Sequence, residues 1–338
     1  MSEIVNTLET ILKINSPSGY TKEIINYLIT EFRHLPLNLS ITNKGSLLVS
    51  FSENPELVIA SHVDTLGGMV KQINGDGTLE ITKIGGLQLN SFEGEYVTVR
   101  NYSGELFRGT FLMNNPAAHV NDKLSETKRE TSVMSIRLDE LVDSPEKVKK
   151  LNIGTGNFVF FDTRFEHTKS GFIKSRFLDN KACVAVMVEL IKHFAQEGYK
   201  GDTAFYFSNY EEVGHGACVG IPESAKELLV LDMAVVGEGC NGKEDLVSIC
   251  PKDSSGPYDF DVTNKLMKLA KDFKINHVID IYPYYGSDGS AALASGTDVR
   301  VGLIGPGVSA SHGVERTHIN GLLNTYNLTY YYIINFNY

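Results

Sequence analysis

Leu57-Val58-Ile59-Ala60-Ser61-His62-Val63-Asp64 decides how this chain is read. Four apolar residues in a row, without polar alternation, describe a strand buried on both faces of a sheet. The run ends on a histidine and an aspartate. In α/β sheets, ligands bind in the crevice beyond the carboxyl ends of the strands. Immediately afterwards the texture of the sequence changes. From 68 to 171, short alternating runs are punctuated by Asn74-Gly75-Asp76-Gly77, Gly85-Gly86, Gly94 and Ser103-Gly104. Many short strands separated by turns predict a small β-barrel or sandwich.

On either side of that segment, helices and strands alternate. Residues 1–34 read as two helices broken at Ser16-Pro17-Ser18-Gly19, followed by a strand pair around Asn43-Lys44-Gly45. After Gly171 the spacing predicts a strong amphipathic helix over 181–196 and a strand over 203–208. A short helix at 224–228 leads into a strand at 229–231, and a helix follows at 259–273. Then come a strand at 277–282, a short helix at 290–294, a strand at 299–304 and a helix from Thr317. The fold class expected is α/β. Segments 1–67 and 172–338 form one mixed sheet covered on both faces, and 68–171 is an inserted β-rich domain.

Lys plus Arg number 31 against 41 Asp plus Glu, a net charge of −10. An acidic chain with no long basic run is a poor partner for nucleic acid or anionic membrane, and it tolerates metal cations. The chain is 42% hydrophobic and 21% charged, which excludes wholesale disorder. Cys183, Cys218, Cys240 and Cys250 form no C-x-x-C pair, so reduced thiols in a cytoplasmic protein are expected. The N-terminal stretch lacks a signal-peptide pattern, and no run approaches the roughly 20 apolar residues of a membrane span.

Five segments place His, Asp or Glu beside a strand end or helix start. They carry His62 with Asp64, Asp179, Glu211 with Glu212, Asp232, and His312 after Gly305-Pro306-Gly307. If they converge, three carboxylates and two imidazoles surround one point, with two more carboxylates beside them. Carboxylates at close range repel, and one takes up a proton unless cations neutralise them. Mixed imidazole and carboxylate donors suit zinc, manganese or cobalt. A carboxylate shared by two ions holds them roughly 3.5–4 Å apart. A leftover glutamate can take a proton from water, and an aspartate beside a histidine can orient its ring. Taken singly, a strand-end Asp or His is more often a loop cap. Glu211-Glu212 alone reads equally well as a solvated loop.

Together the segments resemble a known family. Ser61-His62-Val63-Asp64-Thr65-Leu66-Gly67 resembles the H-x-D-x-x-G motif of dinuclear metallo-aminopeptidases of the M42 type. Phe177-Leu178-Asp179-Asn180-Lys181-Ala182 is similar to their bridging-aspartate segment, and Tyr210-Glu211-Glu212-Val213-Gly214-His215-Gly216-Ala217 to their catalytic loop. Asp232-Met233-Ala234, Ser311-His312-Gly313-Val314-Glu315-Arg316 and Tyr285-Gly286-Ser287-Asp288-Gly289-Ser290-Ala291 follow in the family's order. The resemblance implies a mixed-sheet aminopeptidase domain, phosphorylase/hydrolase-like, with an inserted β-barrel that helps oligomerise. It implies that His62, Asp179 and Asp232 hold one divalent ion, and that Asp179, Glu212 and His312 hold a second. It implies Glu211 as general base and acid, with Asp64 orienting His62. Zinc or cobalt is expected, or manganese, with peptides bearing a free N-terminus as substrates. A dimer-based homo-oligomer, up to a dodecamer, is also implied.

One departure stands out. Many relatives carry a second Asp after the bridging one, where this chain has Asn180. Asn180 reads either as a helix N-cap or as the lesion of a silent, metal-dependent assembly protein. A glycosidase using Glu211 and Glu212 is another alternative, but it has no use for His62 and His312. His215, His318 and the tyrosines at 282, 284 and 285 are read as mainly structural, while Asp288 reads as a substrate contact or a turn residue and the 252–256 loop as pocket lining or plain surface.

Overall fold

The computed structural model describes residues 2–336. Its contacts divide the chain into two compact units, one up to Thr65 and from Arg164 onward, the other Leu66–Thr163. The last two positions of the expected 172–338 segment lie outside the described residues.

The larger unit opens with α1 (Ser2–Leu12), α2 (Lys22–Phe32), the hairpin β1 (Asn38–Ile41) and β2 (Leu47–Ser50), and β3 (Leu57–His62). The smaller unit contains β4 (Gly67–Ile73), β5 (Leu79–Ile84), β6 (Tyr96–Arg100), β7 (Leu106–Met113), β8 (Met134–Leu138), α3 (Pro145–Lys150) and β9 (Phe158–Phe161). Its strands close into a barrel in the order β4-β5-β8-β7-β6-β9. Alternation turns Val97, Val99, Phe111 and Ile136 inward, and the Phe111 and Phe161 rings meet edge to face.

The larger unit resumes with β10 (Glu166–His167), β11 (Phe172–Ser175), α4 (Leu178–Gln196), β12 (Thr203–Ser208), β13 (Glu227–Leu231), β14 (Ala234–Val236) and β15 (Val247–Lys252). It ends with α5 (Phe260–Asp272), β16 (His277–Ile281), α6 (Asp288–Ala294), β17 (Arg300–Ser309), β18 (Glu315–His318) and α7 (Ile319–Ile334). One mixed sheet results. At its centre β12, β3, β13 and β17 run parallel, with Ser208 opposite His62 and Leu231 opposite Ile304. Their carboxyl ends therefore lie along one edge. On one face Phe207 stacks on Phe32 of α2, and Phe205 meets Phe51. On the other, Val58, Ala60, Tyr206, Val230 and Leu303 pack with Ala292 of α6.

Four local expectations are corrected. The 181–196 helix is not amphipathic: from Leu178 to Ile191 only Glu189 escapes full burial, because α1 and α7 pack against α4. No helix forms at 224–228; Ser224 sits in a turn, and β13 takes the apolar run from Glu227. Gly305-Pro306-Gly307 is not a loop but the continuation of β17. A Cβ on Gly305 would lie 1.6 Å from the Asp232 carbonyl, so only glycine lets the backbones approach this closely. Thr317 and His318 end a strand, and helix α7 starts at Ile319 with His318 accepting the Asn320 amide as its cap.

Candidate metal centre

The parallel strands deliver their residues to a common edge. His62 is the last residue of β3, Asp232 follows β13, and Glu211 and Glu212 lie on a single 3-10 turn beyond β12. Asp179 stands at the entrance of α4 with non-helical dihedrals (φ −74°, ψ 104°), and its peptide bond to Asn180 is cis. His312 lies between β17 and β18. All seven residues singled out from the sequence meet here.

Asp179 is central. Its Oδ1 lies 3.2 Å from His62 Nε2, and its Oδ2 lies 3.4 Å from His312 Nε2. Asp232 Oδ1 is 3.8 Å and Glu211 Oε2 3.7 Å from His62 Nε2, while Glu212 Oε2 is 3.7 Å from His312 Nε2. Two groups emerge, His62 with Asp179 and Asp232, and Asp179 with Glu212 and His312. Within each group the ligand-type atoms lie within 4.8 Å of one another.

Asp64 faces His62 with both its main chain and its side chain. Its carboxylate is 3.7 Å from His62 Nδ1, and the hydrogen bond to that ring is made by the Asp64 carbonyl at 2.9 Å. The carboxylate accepts the Glu211 and Glu212 amides at 3.1 and 3.3 Å, and the Ser18 hydroxyl. Asp64 thus holds the His62 ring and the two-glutamate turn together.

Burial sets the electrostatics. It pushes the Asp232 carboxyl up to about 8, with Asp179 adding to the rise and His62 opposing it. Burial also raises Glu211 and Glu212 well above the usual carboxylate range. For His62 burial opposes the charge, but Glu211, Asp179 and Asp232 outweigh it and raise its pKa. Asp179 is lowered despite burial, because His312 and His62 both face it. A cluster of this kind keeps protons unless cations take their place. The donor set suits divalent metal, and Glu212 Oε1 is buried with no hydrogen-bond partner, as an oxygen reserved for an ion would be.

Several supporting residues were not legible as such. Glu315 clasps two ligand segments, accepting the Asp179 amide at 3.1 Å and the His312 amide at 3.0 Å. Burial pushes its carboxyl up to about 8. Asp288 accepts the Ser208 hydroxyl and the Ala217 amide. Phe177, Tyr210 and His312 adopt left-handed φ of 64°, 72° and 63°, strain of the kind that gathers at functional sites. Asn180 is not a cap: its amide donates to Ser61 Oγ at 2.9 Å and to the Leu231 carbonyl at 2.8 Å, tying β3 to β13. His215 stacks on Tyr210, and His318 caps α7. Asp253 closes its own turn by accepting from Ser255, Gly256 and Tyr258.

Comparison with known proteins identifies the family. The family model described as M42 glutamyl aminopeptidase matches residues 45–328. YhfE of Bacillus subtilis (strain 168), which bears an aminopeptidase name, is 43% identical over 98% of this chain and 99% of its own. The Pyrococcus horikoshii TET1 peptidase shares the fold at TM-score 0.85 and 22% identity, over 98% of this chain and 99% of that one. So does aminopeptidase APDkam598 from the archaeon Desulfurococcus kamchatkensis, at TM-score 0.85 and 21% identity, over 98% and 94%. The match across most of the sequence and the full-length relative together show that this chain belongs to the M42 peptidase family.

Proposed function

We propose that this M42-family hydrolase is a dinuclear metallo-aminopeptidase that removes residues from the free N-terminus of peptides. The observation that carries the reading is Asp179, whose two oxygens face different histidines. His62, Asp179 and Asp232 would hold one ion, and Asp179, Glu212 and His312 the other. Zinc, cobalt or manganese fits these donors. When bound, the ions would polarise the scissile carbonyl and lower the pKa of the attacking water.

The chain's own groups handle the protons. Glu211 takes one from the water and returns it to the leaving amine. Asp64 keeps Glu211 and Glu212 in register through their amides. Asn180 is read as a structural tie rather than a lesion. Its NH₂ group donates to the Leu231 carbonyl, a bond an ionised aspartate there could not make. The Leu66–Thr163 barrel is read as the assembly module. The Pyrococcus horikoshii relative is described as assembling into a tetrahedron or a large octahedral shell. All four cysteines are unpaired, which fits the cytoplasm.

The test is hydrolysis of glutamyl, leucyl and lysyl p-nitroanilides by chelator-stripped protein with zinc, cobalt or manganese added back. Metal-restored release, with two ions bound per chain, is expected. Silence across the panel at full metal loading would overturn the reading of a general aminopeptidase.

A further inference from the structure

We infer that Lys44 and Asp288 are positioning residues for Glu211, gripping one peptide unit of its loop from opposite ends. This rests on the reading of Glu211 as the proton carrier. The loop leaves β12, makes the 3-10 turn Glu211–Val213, and continues through Gly214 and the exposed His215 without joining a strand or helix. Asp64 anchors its start through the Glu211 and Glu212 amides. Beyond that turn, the loop is held at the peptide between Gly216 and Ala217. Lys44 Nζ donates to the Gly216 carbonyl at 2.6 Å, and the Ala217 N–H donates to Asp288 Oδ1 at 2.9 Å. Both groups belong to one planar unit. A cation therefore holds the negative end of its dipole and a carboxylate the positive end.

Each partner is itself fixed. Lys44 sits in the β1–β2 hairpin, where Gly45 takes φ +87° and the Thr42 amide bonds the Ser46 carbonyl. It also donates to the His215 carbonyl and lies 5.7 Å from the ring centre of Tyr210, the residue before Glu211. Asp288 uses its other oxygen to accept the hydroxyl of Ser208, the last residue of β12, at 2.6 Å. A Cβ on Gly216 would lie 1.9 Å from Asp288 Oδ1, so glycine is what allows this approach. Lys44 and Asp288 lie outside both candidate ligand groups.

Lys44 is half-buried on a hairpin turn, so Lys44→Met is compatible with folding. The wild type, Lys44→Met, Lys44→Arg, Asp288→Asn and the Lys44→Met/Asp288→Asn double variant are compared with metal bound. The measurements are kcat, KM, metal content, Tm and amide exchange of the 210–218 segment. Lys44→Met is expected to lower kcat about ten- to hundredfold, with KM, metal content and Tm unchanged. Exchange should accelerate only in 210–218. Lys44→Arg should restore part of kcat. In the double variant, losses should be less than multiplicative, since both residues act through one peptide. Wild-type kcat and exchange in Lys44→Met would overturn the inference. So would a kcat loss explained by lost metal or a general fall in Tm, or fully multiplicative losses. Wild-type silence on every substrate would count against the peptidase reading instead, and exchange in 210–218 would then decide the clamp by itself.

Discussion

Asp179 carries opposite influences in one side chain: burial raises its pKa, and two imidazoles more than cancel that rise. Glu211 is raised well above its ordinary value by burial, which His62 only partly offsets. Glu211 lies outside both candidate ligand groups, and as the proposed proton carrier it is the residue to change first. Glu211→Gln keeps the shape and removes the base. A loss of about 10²–10⁴ in kcat is expected, with metal content by elemental analysis unchanged. Retained activity would remove Glu211 from the mechanism. Asn180 gives a second prediction. Asn180→Asp would set a carboxylate against the Leu231 carbonyl, which now accepts an N–H at 2.8 Å. A stability loss of about 1–3 kcal/mol in thermal or urea unfolding is expected, and an unchanged midpoint would refute that account.

At the scale of elements, the site depends on how closely strands approach. β17 passes Asp232 with Gly305 at the crossing, where a side chain would meet the Asp232 carbonyl at 1.6 Å. Gly305→Ala must push the strand or Asp232 aside. It should cost about 1–3 kcal/mol as an overpacking change and weaken metal binding in calorimetric titration. A variant with wild-type affinity and stability would show that the crossing is looser than described. The left-handed residues Phe177, Tyr210 and His312 belong to this scale too, because each turns the chain directly beside a ligand segment.

For the whole molecule, the buried acids make stability depend on pH and metal together. Burial pushes the Asp232 and Glu315 carboxyls up to about 8 in the folded chain, against roughly 4 when unfolded. Between those values the metal-free folded state binds more protons, so its stability falls as pH rises. His62, with its raised pKa, acts in the same direction: the stability it contributes at low pH is lost as pH rises. The Tm of chelator-stripped protein is therefore expected to fall from pH 5 to pH 8. Added zinc should raise Tm more at pH 8, where it replaces protons the cluster would otherwise keep. A metal-free Tm that climbs steadily over this range would contradict the electrostatic account.

The sequence by itself determined the mixed α/β class, the β-rich insertion and the seven polar residues that the fold brings together. Buried parallel strands announce themselves as unbroken apolar runs, and polar residues stand out at their ends, as His62 does after 57–60 and Asp232 after 228–231. Only the tertiary structure decided what each residue touches. Asp64 gave its carboxylate to the Glu211 and Glu212 amides as well as facing His62, and Asn180 tied two strands instead of capping a helix. Glu315, Asp288 and Lys44 gained their places through partners 71 to 172 residues away. Glycine at 305 was legible as a loop signal, yet it marks a strand crossing. The physical reason is common to all of these. Periodicity and spacing report a residue's local preference, whereas hydrogen-bond partners and close backbone approaches exist only once distant segments have packed.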